Sequence, residues 1–320
     1  MHEHSAHAEH VYTCTQRDSA AASSSIVASW RRCIAMHQLA PEDAREPLRL
    51  TESEFRTARA ESEQLIVNAS DELDRLFTTV GKTGCCLLLT DRNGIALERR
   101  GAAGDDKHFH ELGLWTGSIW TEASIGTNGI GTAIADERAL SIFRDQHFFS
   151  SNISLSCTTA PIRDHRGQLA AALDISTCRD DVNEMTLAML TQMVRDAAMR
   201  IEINLFRSAF AGARFLMVPQ GGPNPAAALL AVDRHDLVLG ATRAARLALK
   251  LDDRRIAAGI PAADALHETR LSDDEDLIDA ERAALLRALS RAGGNVSQAA
   301  AALGMSRATL HRKMKRLNLH

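Results

Sequence analysis

"GGNVSQAAAALGMSRATLHRKMKRLNL", Gly293 to Leu319, carries five Lys/Arg side chains and no Asp or Glu, in a chain whose formal net charge is −4. The acidic run "SDDEDLID" (Ser272–Asp279) stands just before it, so charge is separated along the chain rather than mixed. From Asp276 to Arg291, Ile278, Leu285, Leu286 and Leu289 fall on one helical stripe, with Glu281, Arg282, Arg287 and Arg291 off it. Gly293-Gly294 ends that helix, because glycine accepts the left-handed cap conformation. Asn295 reads as the N-cap of "VSQAAAALG", whose alanines let another helix cross at close range. Gly304 breaks this segment and Ser306 caps a last helix, "RATLHRKMKRL". There Leu310, Met314 and Leu317 make the buried stripe, and Arg307, His311, Arg312, Lys315 and Arg316 the other face. Helix, glycine-containing turn and basic helix make helix-turn-helix geometry, in which the start of the second helix enters the major groove. Double-stranded DNA is therefore the expected partner.

"ERAALLRAL…GGNVSQAAAALGMSRATLHRKMKRLNL" resembles the Fis-type helix-turn-helix that ends many bacterial transcription activators, notably in "GGN", "AA..LG" and "SR.TL.RK". The resemblance covers about the last 45 residues and implies a homodimer joined through the first helix, with paired recognition helices on a palindromic operator. Carried over by position, it puts Ser306, Arg307 and Thr309 on the DNA, His311, Arg312 and Lys313 on the next turn, and Arg316 beyond. Arg307 suits bidentate reading of guanine, and Arg312 and Lys313 suit phosphates. The stripe Ile278, Leu285 and Leu289 is the expected dimer seam.

Upstream, the pattern changes. "SSSIVASWRRC" spaces Ile26, Trp30 and Ile34 by four, an amphipathic helix, and Thr51 with Glu54 forms a capping box that opens a long helix toward Val80. "CCLLLT-DRNG-IALERRG" and "SCTTAPIRD-HRGQ-LAAALDIS" are each a strand, a turn signal and a second strand. Between them lie the glycine-rich "SIGTNGIGTAI" and the aromatic "SIFRDQHFFS", and a long helix follows from Asn183 to about Phe210. Hairpins of an antiparallel sheet flanked by helices indicate an α+β sensory fold. "SW.RC", "LTD..G", "WTEASIGTNGIGTAI", "HFF", "SCTTAPI.D..G" and "LDIS" make Ser23–Phe210 similar to the N-terminal region of acetoin-catabolism (AcoR-type) regulators, built on a GAF domain. That resemblance implies a regulatory domain that takes a small-molecule effector or passes a signal to its neighbours.

The expected organisation is a disordered His-containing tail (1–22), an N-terminal helical segment (23–80), a GAF-like sensory domain (81–210), a PAS-like connector and linker (211–271) and an all-α Fis-type helix-turn-helix (272–320). "ALLAVDRHDLVLGATRAARLAL" carries the PAS-like reading as strand, turn, strand and helix, too short to enclose a pocket. Candidate effector contacts are Trp120, Asn128, Phe143, His147, Phe148 and Cys157, where aromatic and polar residues gather beside the glycine-rich loop; aromatics are more often core.

Other functions find little support in the sequence. AcoR-type activators carry a central AAA+ ATPase that works on sigma-54 polymerase, but the chain has no G-x-x-x-x-G-K-[ST] loop. "GTNGIG" lacks the apolar strand that a dinucleotide fingerprint needs before it. A Cys157–His147 catalytic pair with Asp174 or Asp164 has no nucleophile signature around it, so no enzyme and no cofactor are expected. The six cysteines show no disulfide framework, which suits a reducing, cytoplasmic setting without a membrane segment. His2, His4, His7 and His10 could bind metal, but a polar lead reads more simply as disordered, and no metal is expected. The expected function is a bacterial transcription regulator with an unknown effector, touching RNA polymerase or a related activator. The alternative is a constitutive DNA-binding adaptor that modulates an ATPase-bearing sigma-54 activator.

Overall fold

The computed structural model describes residues 2–16, 24–43, 45–219, 228–266 and 273–319. The chain divides into two compact units, Met1–Ile260 and Pro261–His320.

The first unit starts with α1 (His2–Thr15), α2 (Ser25–Ala35), α3 (Glu52–Glu61) and α4 (Glu63–Val80). Its main sheet has β1 (Cys85–Asp91), β2 (Ala96–Arg100), β3 (Leu140–Phe143), β4 (Ser156–Arg163) and β5 (Leu169–Thr177), ordered β2-β1-β5-β4-β3. Every neighbouring pair is antiparallel. Both sequence-read hairpins turn by one device. Asp91 Oδ1 accepts from the amides of Asn93 and Ile95, and Asp164 Oδ1 from those of Arg166 and Gln168. The Asp side chain thus replaces missing ladder partners.

Between β2 and β3 run α5 (Asp106–Glu111), α6 (Glu122–Ile125) and α7 (Gly129–Asp136). After β5 comes α8 (Glu184–Ala209). One sheet face is covered by α4 and α8, with Leu65, Leu73, Leu76, Val194 and Ile201 against Leu87, Leu89, Leu173 and Ile175. Between those helices Glu72 accepts from Arg200 Nε at 2.6 Å and Arg75 Nη1 at 2.9 Å. The opposite face packs Cys86, Leu88 and Ala172 against Val11, Trp30, Cys33, Phe109, Trp120 and Phe148. Strand alternation sorts these two sets.

Two boundaries differ from those read in sequence. The N-terminal stretch 2–15 is helical, with Val11 fully buried and His7 8% exposed, because Val11 joins Trp30, Cys33 and Phe148 in the cluster that covers this sheet face. Composition of the lead alone does not reveal that surface. The helix α4, assigned to a separate segment ending at 80, shares the sheet core with α8.

The connector forms β6 (Arg214–Met217), β7 (Leu229–Val232) and β8 (Val238–Ala241), followed by α9 (Arg243–Leu249) and α10 (Asp253–Ala257). Phe206 and Phe210 at the end of α8 pack with Leu229, Ala231 and Phe215, so one helix serves both sheets.

The second unit is a three-helix cluster, α11 (Asp273–Arg291), α12 (Val296–Ala302) and α13 (Arg307–Arg316), after a short helical turn at Ala262–Ala265. Asn295 caps α12 and Ser306 caps α13, through Gln298 N at 3.2 Å and Thr309 N at 3.1 Å. Leu285, Ala288, Ala299, Ala300, Leu310 and Leu317 form its core. Two of the three residues expected at the dimer seam take part in this core. Leu285 is 2% exposed inside its own unit and Leu289 packs half-buried on the same core, since three short helices need both leucines; Ile278 alone of the three is exposed.

Candidate DNA interface and sensor interior

On α13, Arg307, His311, Arg312 and Lys315 are exposed, and Arg307, Arg312 and Lys315 form no ion pair among the described residues. Ser306 Oγ holds the helix start and lies 2.8 Å from Thr309 Oγ1, so Thr309 is half-buried at the cap. Lys313 and Arg316 behave differently from the sequence expectation. Both pair with Glu281 of α11, and the Lys313 hydrogen bond, with Arg316 adding, holds that carboxyl below its ordinary range. Lys313 lies half-buried on the core side of the helix wheel, three residues after Leu310. Lys315 takes its place on the open face, three residues after Arg312, a spacing visible in sequence.

In the sensor, the "SWRRC" helix is clamped to the glycine-rich loop. Arg32 donates from Nε and Nη2 to the two Glu122 oxygens at 2.8 and 2.7 Å, and its Nη2 lies 2.9 Å from Asp136. Ser29 Oγ donates to Glu122 Oε1 at 2.5 Å and meets Thr127 Oγ1 at 2.6 Å. The loop glycines serve packing. A Cβ at Gly129 would stand 2.8 Å from Asp174 Oδ1 and from Cys157 Cβ, and at Gly126 2.6 Å from Phe148 Cβ.

All six expected effector contacts have structural partners. Trp120 Nε1 donates to Gly113 O at 3.2 Å. Asn128 caps α7 by accepting from Gly131 N at 2.8 Å and donates to Gly126 O at 2.8 Å. Phe148 stacks edge-on with Phe149 at 5.2 Å, and Phe143 is half-buried with the Arg144 guanidinium 5.3 Å from its ring. His147 Nδ1 lies 2.9 Å from Arg144 O, which a carbonyl can only accept, so the Nε2 lone pair faces Cys157 Sγ at 3.5 Å. His7 Nε2 lies 3.0 and 3.2 Å from the carbonyl oxygens of His147 and Phe148 and ties α1 to the same loop.

Asp174, weighed in the sequence only as a catalytic partner, and Arg99, not singled out there, are among the charged groups enclosed in this unit. Asp174 is 1% exposed and accepts from Ser176 Oγ at 2.5 Å and from Thr159 Oγ1, and burial raises its carboxyl to about 6. Arg99 is opposite Leu88 in the β1–β2 register, and Leu88 is opposite Asp174, so all three share the covered face. A charged residue at an inward position of "IALERR" was the available signal. Burial also lowers His147 to about 4 and raises Cys157 well above the usual thiol range, with Asp174 adding to the latter. The pair therefore stands as neutral imidazole and thiol, without the thiolate that a nucleophile needs. His2 and His4 lie outside the side chains described, and no cluster of three metal-ligating side chains occurs among the described residues. No described helix is long and apolar enough to cross a membrane.

Residues 64–201 match the GAF domain, and 277–317 match the Fis family of bacterial regulatory proteins. The chain is 32% identical over 225 residues to the acetoin catabolism regulatory protein of Cupriavidus necator, covering 69% of this chain and 34% of that protein. It is 27% identical over 151 residues to the acetoin dehydrogenase operon transcriptional activator AcoR of Bacillus subtilis, covering 47% and 25%. It thus spans about a third or less of the length of these relatives. The E. coli DhaR(N)–DhaL complex contains a chain with the same fold (TM-score 0.50, 17% identity, 71% of this chain and 76% of that one). The polypeptide joins a GAF domain to a Fis-type helix-turn-helix and is homologous to acetoin-type transcriptional regulators.

Proposed function

We propose that the protein is a cytoplasmic bacterial transcription regulator, not an enzyme, that binds a palindromic operator as a homodimer and responds to a small effector taken by its GAF domain. The free basic face of α13, capped at Ser306 and carrying Arg307, His311, Arg312 and Lys315, carries this reading. Its neutral Cys157–His147 pair and six free cysteines favour a reduced, non-catalytic protein.

Dimerisation uses the outer face of α11. Leu277, Ile278 and Leu286 are 72%, 47% and 47% exposed, and an open groove of about 820 Å³ beside Leu277, Ile278 and Leu317 extends this apolar surface. A second copy covering them would double the recognition helices and require an inverted repeat. Anisotropy titration against DNA from upstream of its own gene, with an excess of unrelated duplex, tests the reading. Specific binding supports it, and equal affinity for both duplexes removes it.

The adaptor alternative draws on one observation, that the sequence has no phosphate-binding loop to drive sigma-54 polymerase itself. Transcription from the target promoter with purified protein and polymerase alone separates the two. An effector-dependent change there excludes the adaptor.

A further inference from the structure

The Arg99 side chain is 10% exposed, yet only one of its nitrogens meets a carboxylate. Nη1 donates to Asp106 Oδ1 at 2.7 Å, while Nε and Nη2 are buried and have no hydrogen-bond partner. Buried donors are nearly always paired, so two on one guanidinium require a cause. The guanidinium centre lies 4.3 Å from the Trp115 ring and 5.8 Å from Phe109, and a side chain at Gly101 would run into it. Cys86 is the neutral group beside it: burial pushes its thiol up to about 12, outweighing the Arg99 charge and a hydrogen bond from Arg99 that act to lower it, so it gives the guanidinium a weak sulfur acceptor and no anion.

We propose that the Nε–Nη2 edge of Arg99, walled by Trp115 and Phe109, is the recognition point for a small carboxylate, which would be the effector's anionic group. This rests on the reading of the GAF domain as a small-molecule sensor and names the class of molecule it takes. The edge formed by Nε and Nη2 is a fork whose two parallel N–H groups match two carboxylate oxygens, a fit that lysine lacks. Asp106 occupies only the far nitrogen, and at 39% side-chain exposure its charge is screened by water, whereas the free edge is dry. Entry lies beneath α5, six residues long between Gly101 and Gly113, a helix too short to persist without its packing and so able to lift locally. The apolar walls then favour a carboxylate on a short hydrocarbon or aromatic body.

The test is calorimetric titration of the full chain with propionate and benzoate, against propionamide and benzamide. Wild type should bind at least one carboxylate with a Kd of about 1 mM or tighter, and its amide at least about tenfold more weakly. Arg99→Gln should lose about tenfold or more of the carboxylate affinity. Arg99→Lys, which keeps the charge opposite Asp106 and so protects folding, should lose as much because it lacks the fork. Asp106→Asn should bind as tightly as wild type or several-fold tighter, since a competing anion is gone; a purely structural ion pair would make it behave like Arg99→Gln. The proposal is overturned if neither carboxylate binds, if the amides bind equally, if Arg99→Lys retains wild-type affinity, or if Asp106→Asn loses binding. An uncharged compound that alters DNA binding equally in wild type and Arg99→Gln would leave the sensor standing and overturn this site. Carboxylate binding that passes every variant yet leaves DNA binding and transcription unchanged would keep the site and remove the sensor reading.

Discussion

At the scale of single residues, Asp174 shows how a buried charge shapes behaviour before any ligand is present. Its neighbours are hydroxyls, Ser176 and Thr159, and burial lifts its carboxyl to about 6 from an ordinary 3.8. Because the folded value lies above the unfolded one, its contribution to stability is complete below about pH 4 and is lost as pH rises through about 6. The gap corresponds to about 3 kcal/mol between the ionised and protonated site. Asp174→Asn keeps the size and removes the ionisation. It should therefore gain stability over wild type by up to about 2–3 kcal/mol at pH 8 and lose that advantage at pH 4. Urea denaturation at both pH values checks this, and subtracting the variant from wild type cancels His147 and Glu202, which also titrate away from their ordinary values. An equal difference at both pH values would show that Asp174 is not the titrating group. Arg99 and Asp174 belong together at this scale, since each places an ionisable group on the sheet face that packs against Trp30, Phe109 and Trp120.

At the scale of elements, the clamp between α2 and the glycine-rich loop decides whether the N-terminal helices are part of the sensor. Glu122 is 3% exposed at its side chain and receives both arms of Arg32 together with Ser29. Glu122→Ala leaves Arg32, 28% exposed, with Asp136 as its remaining carboxylate, so the usual cost of breaking a buried pair is discounted to about 2 kcal/mol. Hydrogen exchange in 25–35 should accelerate more than exchange in β4 and β5, and uniform acceleration would mean that the clamp is not local. A second prediction at this scale separates core from seam in the helix-turn-helix. Leu285→Asp puts a charge into the unit's own core and should unfold the 261–320 fragment, seen as lost helical circular dichroism. Ile278→Asp alters an exposed residue and should leave helicity intact while sedimentation shifts from dimer to monomer. A folded, fully dimeric Ile278→Asp fragment would move the interface elsewhere. Sequence periodicity put Ile278 and Leu285 on one stripe; it could not tell that a unit of three short helices spends Leu285 on itself.

At the scale of the whole molecule, legibility in the sequence followed locality. Hairpins, caps and the helix-turn-helix depend on near neighbours, such as Asp91 on Ile95 or Ser306 on Thr309, and were readable from the residues. What stayed hidden depends on distant partners: the docking of α1 through His7 onto residues 140 positions away, the orphaned edge of Arg99, and Glu281 claiming Lys313 and Arg316. Those ion pairs change what DNA binding should look like. With a net charge of −4, the chain as a whole repels a phosphate backbone, so attraction must come from the few cations left free on α13. Each phosphate neutralised lowers the slope of log K against log salt by about 0.9. Lys315 has no carboxylate partner among the described residues, so in a dimer Lys315→Ala should remove one contact per half-site and flatten the slope by about 2. Lys313 is committed to Glu281, and Lys313→Ala should leave the slope nearly unchanged while lowering the melting temperature of the second unit. Arg307→Ala should differ from both, costing about 1–3 kcal/mol on the specific operator and relaxing preference at one base pair per half-site, with little loss on unrelated DNA. Anisotropy titrations of the three variants at four salt concentrations, on operator and on scrambled duplex, measure all of these effects together. If Lys313→Ala flattened the slope as much as Lys315→Ala, the Glu281 pairs would have to open on DNA, and the contact face would be the wider one expected from the Fis-type resemblance.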